Sequence, residues 1–151
     1  MRNRKVLVLP LVLLLMAASC SDRSIDNAIK ATAAVAATNR AASDLADAEL
    51  AAGRIDKATR DAATVIFKEV AQLDNAVLNT LEQAKAAGFL SEAGRGSVID
   101  AVKQMRLRIA AGAFPFIKNE AARVEISAKV KAVSDGLELI LSALPAAGSR
   151  P

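Results

Sequence analysis

The fold is decided by residues 57–87, which read KATRDAATVIFKEVAQLDNAVLNTLEQAKAA. Apolar side chains recur in this stretch every three or four residues, which is the spacing of one face of an α-helix. They are Ala62, Ile66, Val70, Leu73, Val77, Leu81 and Ala84. Charged and amide side chains fill half of the other positions, so the pattern predicts one long amphipathic helix that buries a single stripe.

Three connections in the chain contain a glycine after a run of helix-forming residues. These glycines are Gly53, Gly88 and Gly112. Glycine tolerates the left-handed conformation in which many helices end, so each is predicted to adopt it. Asp56 and Ser91 follow the first two glycines and are typical N-caps, whereas Pro115 follows the third and suits a first helical position. These short connections predict tight antiparallel turns.

The same signals predict three further helices, at about residues 24–52, 92–111 and 116–144. The first is built mostly of alanine, which favours helix formation but buries little area. Its predicted stripe is Ile29, Ala33, Ala36, Ala42, Leu45, Ala46 and Leu50. The other two stripes are Val98, Val102, Met105 and Ile109, and then Val124, Val130, Val133, Leu137, Ile140 and Leu144.

Amphipathic helices joined by short turns predict an all-α fold, an up-down-up-down four-helix bundle over residues 25–144. The chain after the leader has the length of one ordinary domain. Residues 145–151 are rich in proline, alanine and glycine and are predicted to be a disordered tail.

The end of the last helix, residues 137–144, is apolar nearly all round rather than along one stripe. A helix of that kind needs burial on several sides. In one interpretation Phe89, Leu90 and Ile25 close over it as the bottom of the core. In the other, this surface contacts lipid or a partner helix. The contact residues are then Phe89, Leu90, Leu139 and Leu141.

The beginning of the chain has a different composition from the rest. A basic start is followed by an uncharged apolar run over residues 6–16, which is too short to cross a bilayer comfortably. The stretch Leu15–Cys20, LMAASC, then places three small residues before the only cysteine of the chain. This arrangement resembles the lipobox of bacterial lipoprotein precursors, with Ala17 where leucine or valine is more usual.

The resemblance implies that residues 1–19 are a signal peptide and residues 20–24 a lipidated tether. It implies a thioether-linked diacyl group on Cys20, cleavage before that residue, and a further fatty acid such as palmitate on the new N-terminus. The protein is then held to a membrane by its lipid. An uncleaved anchor, or an ordinary signal peptide with an incidental cysteine, is the alternative interpretation.

The residue after Cys20 bears on location in the cell envelope. An aspartate there resembles an inner-membrane retention signal of Gram-negative lipoproteins, and this chain has Ser21 instead. The outer membrane, with the bundle facing the periplasm, is therefore favoured. Asp22, one position later, leaves the inner membrane open, and exposure at the cell surface is a further alternative.

The net charge argues against a nucleic-acid partner. The chain has 20 Lys and Arg against 16 Asp and Glu, but the leader accounts for three of the basic residues, Arg2, Arg4 and Lys5. The remainder is nearly neutral, so few counterions would be released on binding phosphates. The chain has no Trp or Tyr to stack on bases.

The chemistry of the side chains argues against an enzyme. The chain has no histidine to act as a general base or metal ligand, and its cysteine is assigned to lipid. No catalytic residue, metal site or cofactor is therefore predicted.

Two functional classes remain. The first is a non-catalytic helical module, structural or for interaction, with an unidentified protein partner. In layout it is similar to the pilotins of secretion systems, which are small lipoproteins that bind a client helix. The alternative is an exclusion or defence lipoprotein, encoded by a phage or mobile element, that blocks a receptor or the channel by which an invading element enters.

Overall fold

The computed structural model describes residues 8–112, 114 and 117–145, with side chains from residue 23 onward. It contains, within those residues, α1 (Val8–Ala51), α2 (Lys57–Ala87), α3 (Glu92–Ala110) and α4 (Glu120–Ala143). Consecutive helices pack against one another, and α1 also packs along α4. The prediction of an all-α four-helix bundle is confirmed. Across the described residues, none of the helices has an apolar stretch long enough to cross a membrane.

The buried positions of α1 alternate in steps of three and four residues. They are Ile25, Ala28, Thr32, Val35, Asn39, Ala42, Ala46 and Glu49. Those of α2 follow the same steps, through Ala63, Phe67, Val70, Asp74, Val77, Leu81 and Ala84. An average spacing of 3.5 residues is that of a coiled-coil seam, in which one narrow stripe of each helix faces its neighbours.

The apolar core consists of two clusters. One fills the end of the bundle that contains Ile25, the α2–α3 turn and the end of α4. The other fills the opposite end, where the rings of Phe67 and Phe114 stack with their centroids 5.6 Å apart. Asn39 lies between Val35 of the first cluster and Ala42 of the second, so the seam of α1 is polar where the clusters meet.

The first two turns have the predicted geometry. Gly53 and Gly88 adopt the left-handed conformation, with φ of 68° and 76°. The Asp56 carboxylate accepts a hydrogen bond from the Thr59 amide at 2.7 Å, and the Ser91 hydroxyl accepts one from the Gly94 amide at 3.0 Å. Each helix therefore begins at its predicted N-cap.

The third connection differs from the prediction. Helix α3 ends at Ala110 with Ala111 in a right-handed conformation as its C-cap, and Gly112 is not left-handed. A Cβ at Gly112 would instead overlap the Phe114 ring, so glycine is required there for space. Helix α4 begins at Glu120 rather than near residue 116, because the Asn119 side chain caps it by accepting from the Ala122 amide at 3.0 Å. Pro115 and Phe116 lie outside the described residues.

Helix α1 begins earlier than predicted. It starts at Val8 and includes residues 20–24, the segment predicted to be a tether. Pro10 falls in its first turn, where proline is tolerated, and neither glycine nor proline follows it until Gly53. Cleavage before Cys20 stays a prediction.

The predicted core stripes are right for α3 and partly wrong elsewhere. All four predicted residues of α3 are buried. In α2, Ala62 is exposed, whereas Phe67 and Asp74 occupy core positions. In α1, most residues of the predicted stripe lie one position before or after a buried residue. The reason is that alanines on every face make the apolar pattern of this helix ambiguous. In α4, Val124 is exposed.

A buried ion pair fixes the connection between α1 and α2. Glu49 is fully buried, and its carboxylate accepts two hydrogen bonds from the Arg54 guanidinium, at 2.6 and 2.5 Å. The backbone amide of Arg54 also donates to the Glu49 carbonyl oxygen, at 2.9 Å. The hydrogen bond from Arg54 holds the pKa of the Glu49 carboxyl below its usual range. The charge of Glu49 is therefore compensated without a contact from another helix.

Helices α1 and α4 approach each other most closely at Gly136. A Cβ at this position would lie 2.6 Å from Cγ2 of Val35, which is itself buried. Because valine has a restricted χ1 angle, Val35 has little freedom to move aside. The packing of α4 on α1 therefore requires the absence of a side chain at position 136.

Gly136→Ala is expected to lower the free energy of unfolding by about 1–3 kcal/mol, because the added methyl overpacks the α1–α4 interface. Gly96→Ala is the matched control, since Gly96 lies inside α3 and a Cβ added to it would have no neighbour within 4 Å. This control is expected to raise stability by up to about 1 kcal/mol through helix propensity. Urea unfolding followed by circular dichroism measures both. Equal effects of the two substitutions would contradict the close approach.

Candidate functional site

The four predicted contact residues divide into two exposed and two covered side chains. Leu139 is 60% exposed on the outer face of α4, and Phe89 is 38% exposed in the α2–α3 turn. Leu90 is buried in the first apolar cluster, and Leu141 is partly buried and packs against that cluster. The structure thus leaves Phe89 and Leu139 accessible, and their role in binding stays a prediction.

Several contacts bring three parts of the chain together. These are the α2–α3 turn, the end of α4, and the first residues of α1 whose side chains are described. Ile25, Leu90 and Leu144 belong to one cluster with the end of α4. The Lys85 ammonium lies 2.7 Å from the Asp26 carboxylate, and the Arg95 Nε donates to the Pro145 carbonyl oxygen at 3.1 Å. Ile25 and Leu90 therefore cover this end of the core as the first interpretation predicts, while Phe89 stays at its surface.

Phe89 borders a small cleft of about 210 Å³ at the same end. The lining residues are Thr80, Gln83, Ala84, Ala87, Phe89, Leu90, Ser91 and Gly94. Cys20, the predicted lipidation site, lies in α1 before the residues whose side chains are described. Most of the predicted tail, residues 146–151, also lies outside the described part of the chain.

A second cleft, which the sequence did not predict, lies between α1 and α2. It has a volume of about 270 Å³ and is open to solvent. It is lined by Ala36, Asn39, Arg40, Ser43, Thr64, Phe67, Lys68, Ala71, Asp74 and Asn75. The small side chains of Ala36 and Ala71 leave this space between two otherwise closely packed helices. We call it the α1–α2 groove.

Asn39 presents a buried acceptor to the α1–α2 groove. The residue is only 5% exposed, and its Nδ2 donates to the Phe67 carbonyl oxygen at 2.8 Å. That bond fixes the orientation of the amide, since exchanging its nitrogen and oxygen would bring two acceptors together. Its Oδ1 is buried and has no hydrogen-bond partner.

Asp74 presents a second buried acceptor. It is 2% exposed, and its Oδ1 has no hydrogen-bond partner. Burial raises the pKa of the Asp74 carboxyl to about 7, because removal from water disfavours the ionised form. The other charged residues that line the groove are Arg40 on α1 and Lys68 on α2, and both are exposed. Asp74 therefore changes its charge near neutral pH.

The positions of Asp74 and Asn39 in the helical repeat could have identified them from the sequence. A search for the period of apolar residues alone passes over them, because both are polar. Asp74 follows Val70 by four residues and precedes Val77 by three, so it occupies a seam position between two core valines. Asn39 has the same relation to Val35 and Ala42. A polar residue at a core position of a heptad usually fixes how the helices pair, or binds a ligand.

The two buried acceptors of the α1–α2 groove can form hydrogen bonds to a bound molecule. Within the described residues, no group of three or more His, Cys, Asp or Glu side chains is placed to hold a metal ion. Two buried acceptors beside a solvent-open space can accept hydrogen bonds from a ligand or from water. No family model, curated protein or solved structure matches this chain.

The raised pKa of Asp74 makes stability depend on pH. The folded protein keeps the proton on Asp74 at pH values where the unfolded chain has lost it. This contribution to stability is complete below the unfolded pKa and is lost as the pH rises through about 7. Glu49 has a lowered pKa, so its contribution changes only at acidic pH.

Asp74→Asn is expected to remove this dependence. Between about pH 5 and about pH 8, wild-type protein should lose roughly 3 kcal/mol of unfolding free energy relative to the variant. Urea unfolding at a series of pH values gives the two curves. Asp44→Asn, at an exposed position of α1, is the control and should give a curve parallel to wild type. Parallel curves for wild type and Asp74→Asn would contradict the buried, protonated carboxyl.

Proposed function

We propose that this protein is a lipid-anchored, non-catalytic interaction module of the bacterial cell envelope, with a protein as its partner. The observation that carries the proposal is the lone Cys20 at the end of the Leu15–Cys20 stretch, directly before a helical bundle with its own core. We place the lipid on Cys20 and the bundle in the periplasm, with the outer membrane favoured by Ser21.

The two accessible apolar residues support a partner near the anchored end. Lys85 pairs with Asp26, so the α2–α3 turn that contains Phe89 lies beside the first residues of α1 whose side chains are described. Leu139 lies five residues before Leu144, which packs in the cluster at this same end. A protein held at the membrane through Cys20 would present Phe89 and Leu139 to partners in or beside that membrane.

The apolar core is formed by the chain itself. This supports a module that binds its partner as a folded bundle, rather than one whose core the partner must complete. The largest apolar residues of the seams, such as Leu81, Met105 and Leu137, are fully buried within the chain itself. Exposed apolar side chains occur at both ends of the bundle, for example Val124 beside the second cluster and Leu139 beside the first. Such a surface suits a small contact with a few anchoring side chains.

Cys20→Ala is expected to abolish the lipid attachment without unfolding the bundle. The substitution removes the thiol that forms the thioether, and it lies before the first residues of the buried core. Incorporation of radiolabelled palmitate and membrane fractionation measure the effect, with Ser21→Ala as the control that should still be labelled. Label in the Cys20→Ala protein would contradict the assignment of this residue.

Photo-crosslinking tests the partner surface. A photoreactive amino acid placed at Phe89 or Leu139 in the full-length chain, expressed in bacterial cells, should crosslink to one defined protein. Val124 is the matched control, because at 60% it is as exposed as Leu139 but lies near the start of α4, between Ala122 and Ile126 of the second cluster. The same label at Val124 should give no such product. Crosslinks to lipid alone, or equal crosslinks at all three positions, would contradict a protein partner at this surface.

A further inference from the structure

We propose that the α1–α2 groove is a binding site for a small free zwitterion that carries a primary ammonium group and a carboxylate, as amino acids do. This site goes beyond the proposed interaction function, since it lies on another surface and takes another class of ligand. The proposal rests on two buried oxygens without partners, on two basic residues at the rim, and on the size and position of the groove.

The two buried oxygens of the groove receive no hydrogen bond from the described residues. Asn39 Oδ1 and Asp74 Oδ1 are both buried and without a partner, and the amide nitrogen of Asn39 donates to Phe67. The Thr64 hydroxyl, on the same wall, already donates to the Arg60 carbonyl oxygen at 3.0 Å. A ligand that binds here must therefore bring N–H or O–H groups of its own.

A primary ammonium group meets this requirement better than a neutral donor. It carries three N–H donors, so it can bond to the buried oxygen of Asp74 and still donate to other groups that line the groove. Its charge also compensates the carboxylate of Asp74, which is costly to hold ionised in a buried position. Burial alone keeps the pKa of Asp74 raised, and a bound ammonium would lower it. Binding near neutral pH is therefore coupled to release of a proton.

The rim of the groove selects for a negative group on the same ligand. Arg40 and Lys68 line the groove, are exposed, and form no ion pair with any of the described residues. A simple cation would be repelled by these two charges on its way to Asp74. A carboxylate beside the ammonium reverses that effect, because it can pair with Arg40 or Lys68 while the ammonium reaches the buried oxygens.

Size and position favour a free ligand over a lipid headgroup. The groove, at about 270 Å³, lies at the small end of the range for ligand pockets, so it fits a molecule of few atoms. Asn39 is nineteen residues along α1 from Cys20, which places the groove about 28 Å from the anchor along the helix axis. Headgroups of the leaflet that holds the lipid do not reach that height.

Titration calorimetry on the purified full-length chain tests the proposal with four probes. These are glycine, ethylamine, acetate and glycerophosphoethanolamine. Glycine should bind saturably and about tenfold or more tightly than ethylamine or acetate, each of which has only one of the two charges. Binding of glycerophosphoethanolamine without binding of glycine would overturn the proposal in favour of a lipid headgroup. Absence of saturable binding by any probe would overturn it too, and would mean that the groove holds only water.

Two variants and one control locate the site. Asp74→Asn should weaken glycine binding about tenfold or more, whereas Asp44→Asn, outside the groove on α1, should leave it unchanged. Arg40→Gln combined with Lys68→Gln should weaken glycine binding but not ethylamine binding, since it removes only the two possible partners of the carboxylate. Unchanged glycine affinity in Asp74→Asn would overturn the proposal.

A measurement on wild-type protein alone provides an independent check. Calorimetry at about pH 7 in buffers of different ionisation enthalpy should detect release of a fraction of a proton when glycine binds, because the bound ammonium lowers the pKa of Asp74. This measurement does not depend on whether a variant folds. Glycine binding without proton release would exclude Asp74 as the acceptor and overturn the proposal.

Discussion

The close approach of α1 to its two neighbours is the constraint on which the rest of the structure depends. Three of its eight described buried positions are alanines, and at Gly136 the facing helix has no side chain at all. Alanine buries little area, so at those positions α1 contributes to stability through close contact rather than through large side chains. Outside the seam, the small side chains of Ala36 and Ala71 line the α1–α2 groove and leave space there.

Polar residues in the seams are satisfied to different degrees. Thr32 donates to the Ala28 carbonyl oxygen of its own helix at 2.9 Å, and Glu49 is paired with Arg54. Asn39 is satisfied through its nitrogen only, and Asp74 has an oxygen without a partner. Satisfied groups add little instability, whereas an unpaired buried acceptor costs about 1–3 kcal/mol. Both incompletely satisfied residues line the groove.

The sequence predicts the helices and the first two turns well because their signals are local. Gly53 with Asp56 and Gly88 with Ser91 each determine how one helix ends and the next begins, whatever surrounds them. The predicted start of α4 is wrong because Pro115 and Asn119 are both good start signals, and in the structure Asn119 caps the helix. The alanines of α1 could not define its seam, since alanine is compatible with every face.

The groove could not be predicted, because it requires knowing which faces of α1 and α2 meet. Once the seams are known, Asp74 stands where the valines on either side, Val70 and Val77, suggest an apolar residue. An apolar side chain there would avoid the unfavourable burial of a carboxylate. A ligand that compensates the charge of Asp74 also removes this unfavourable burial, but only while it is bound. The stability of the bundle therefore depends on the concentration of the ligand. Asn39, the other residue of the groove with an unpaired buried oxygen, lies between Val35 of the first apolar cluster and Ala42 of the second, so the groove adjoins both clusters.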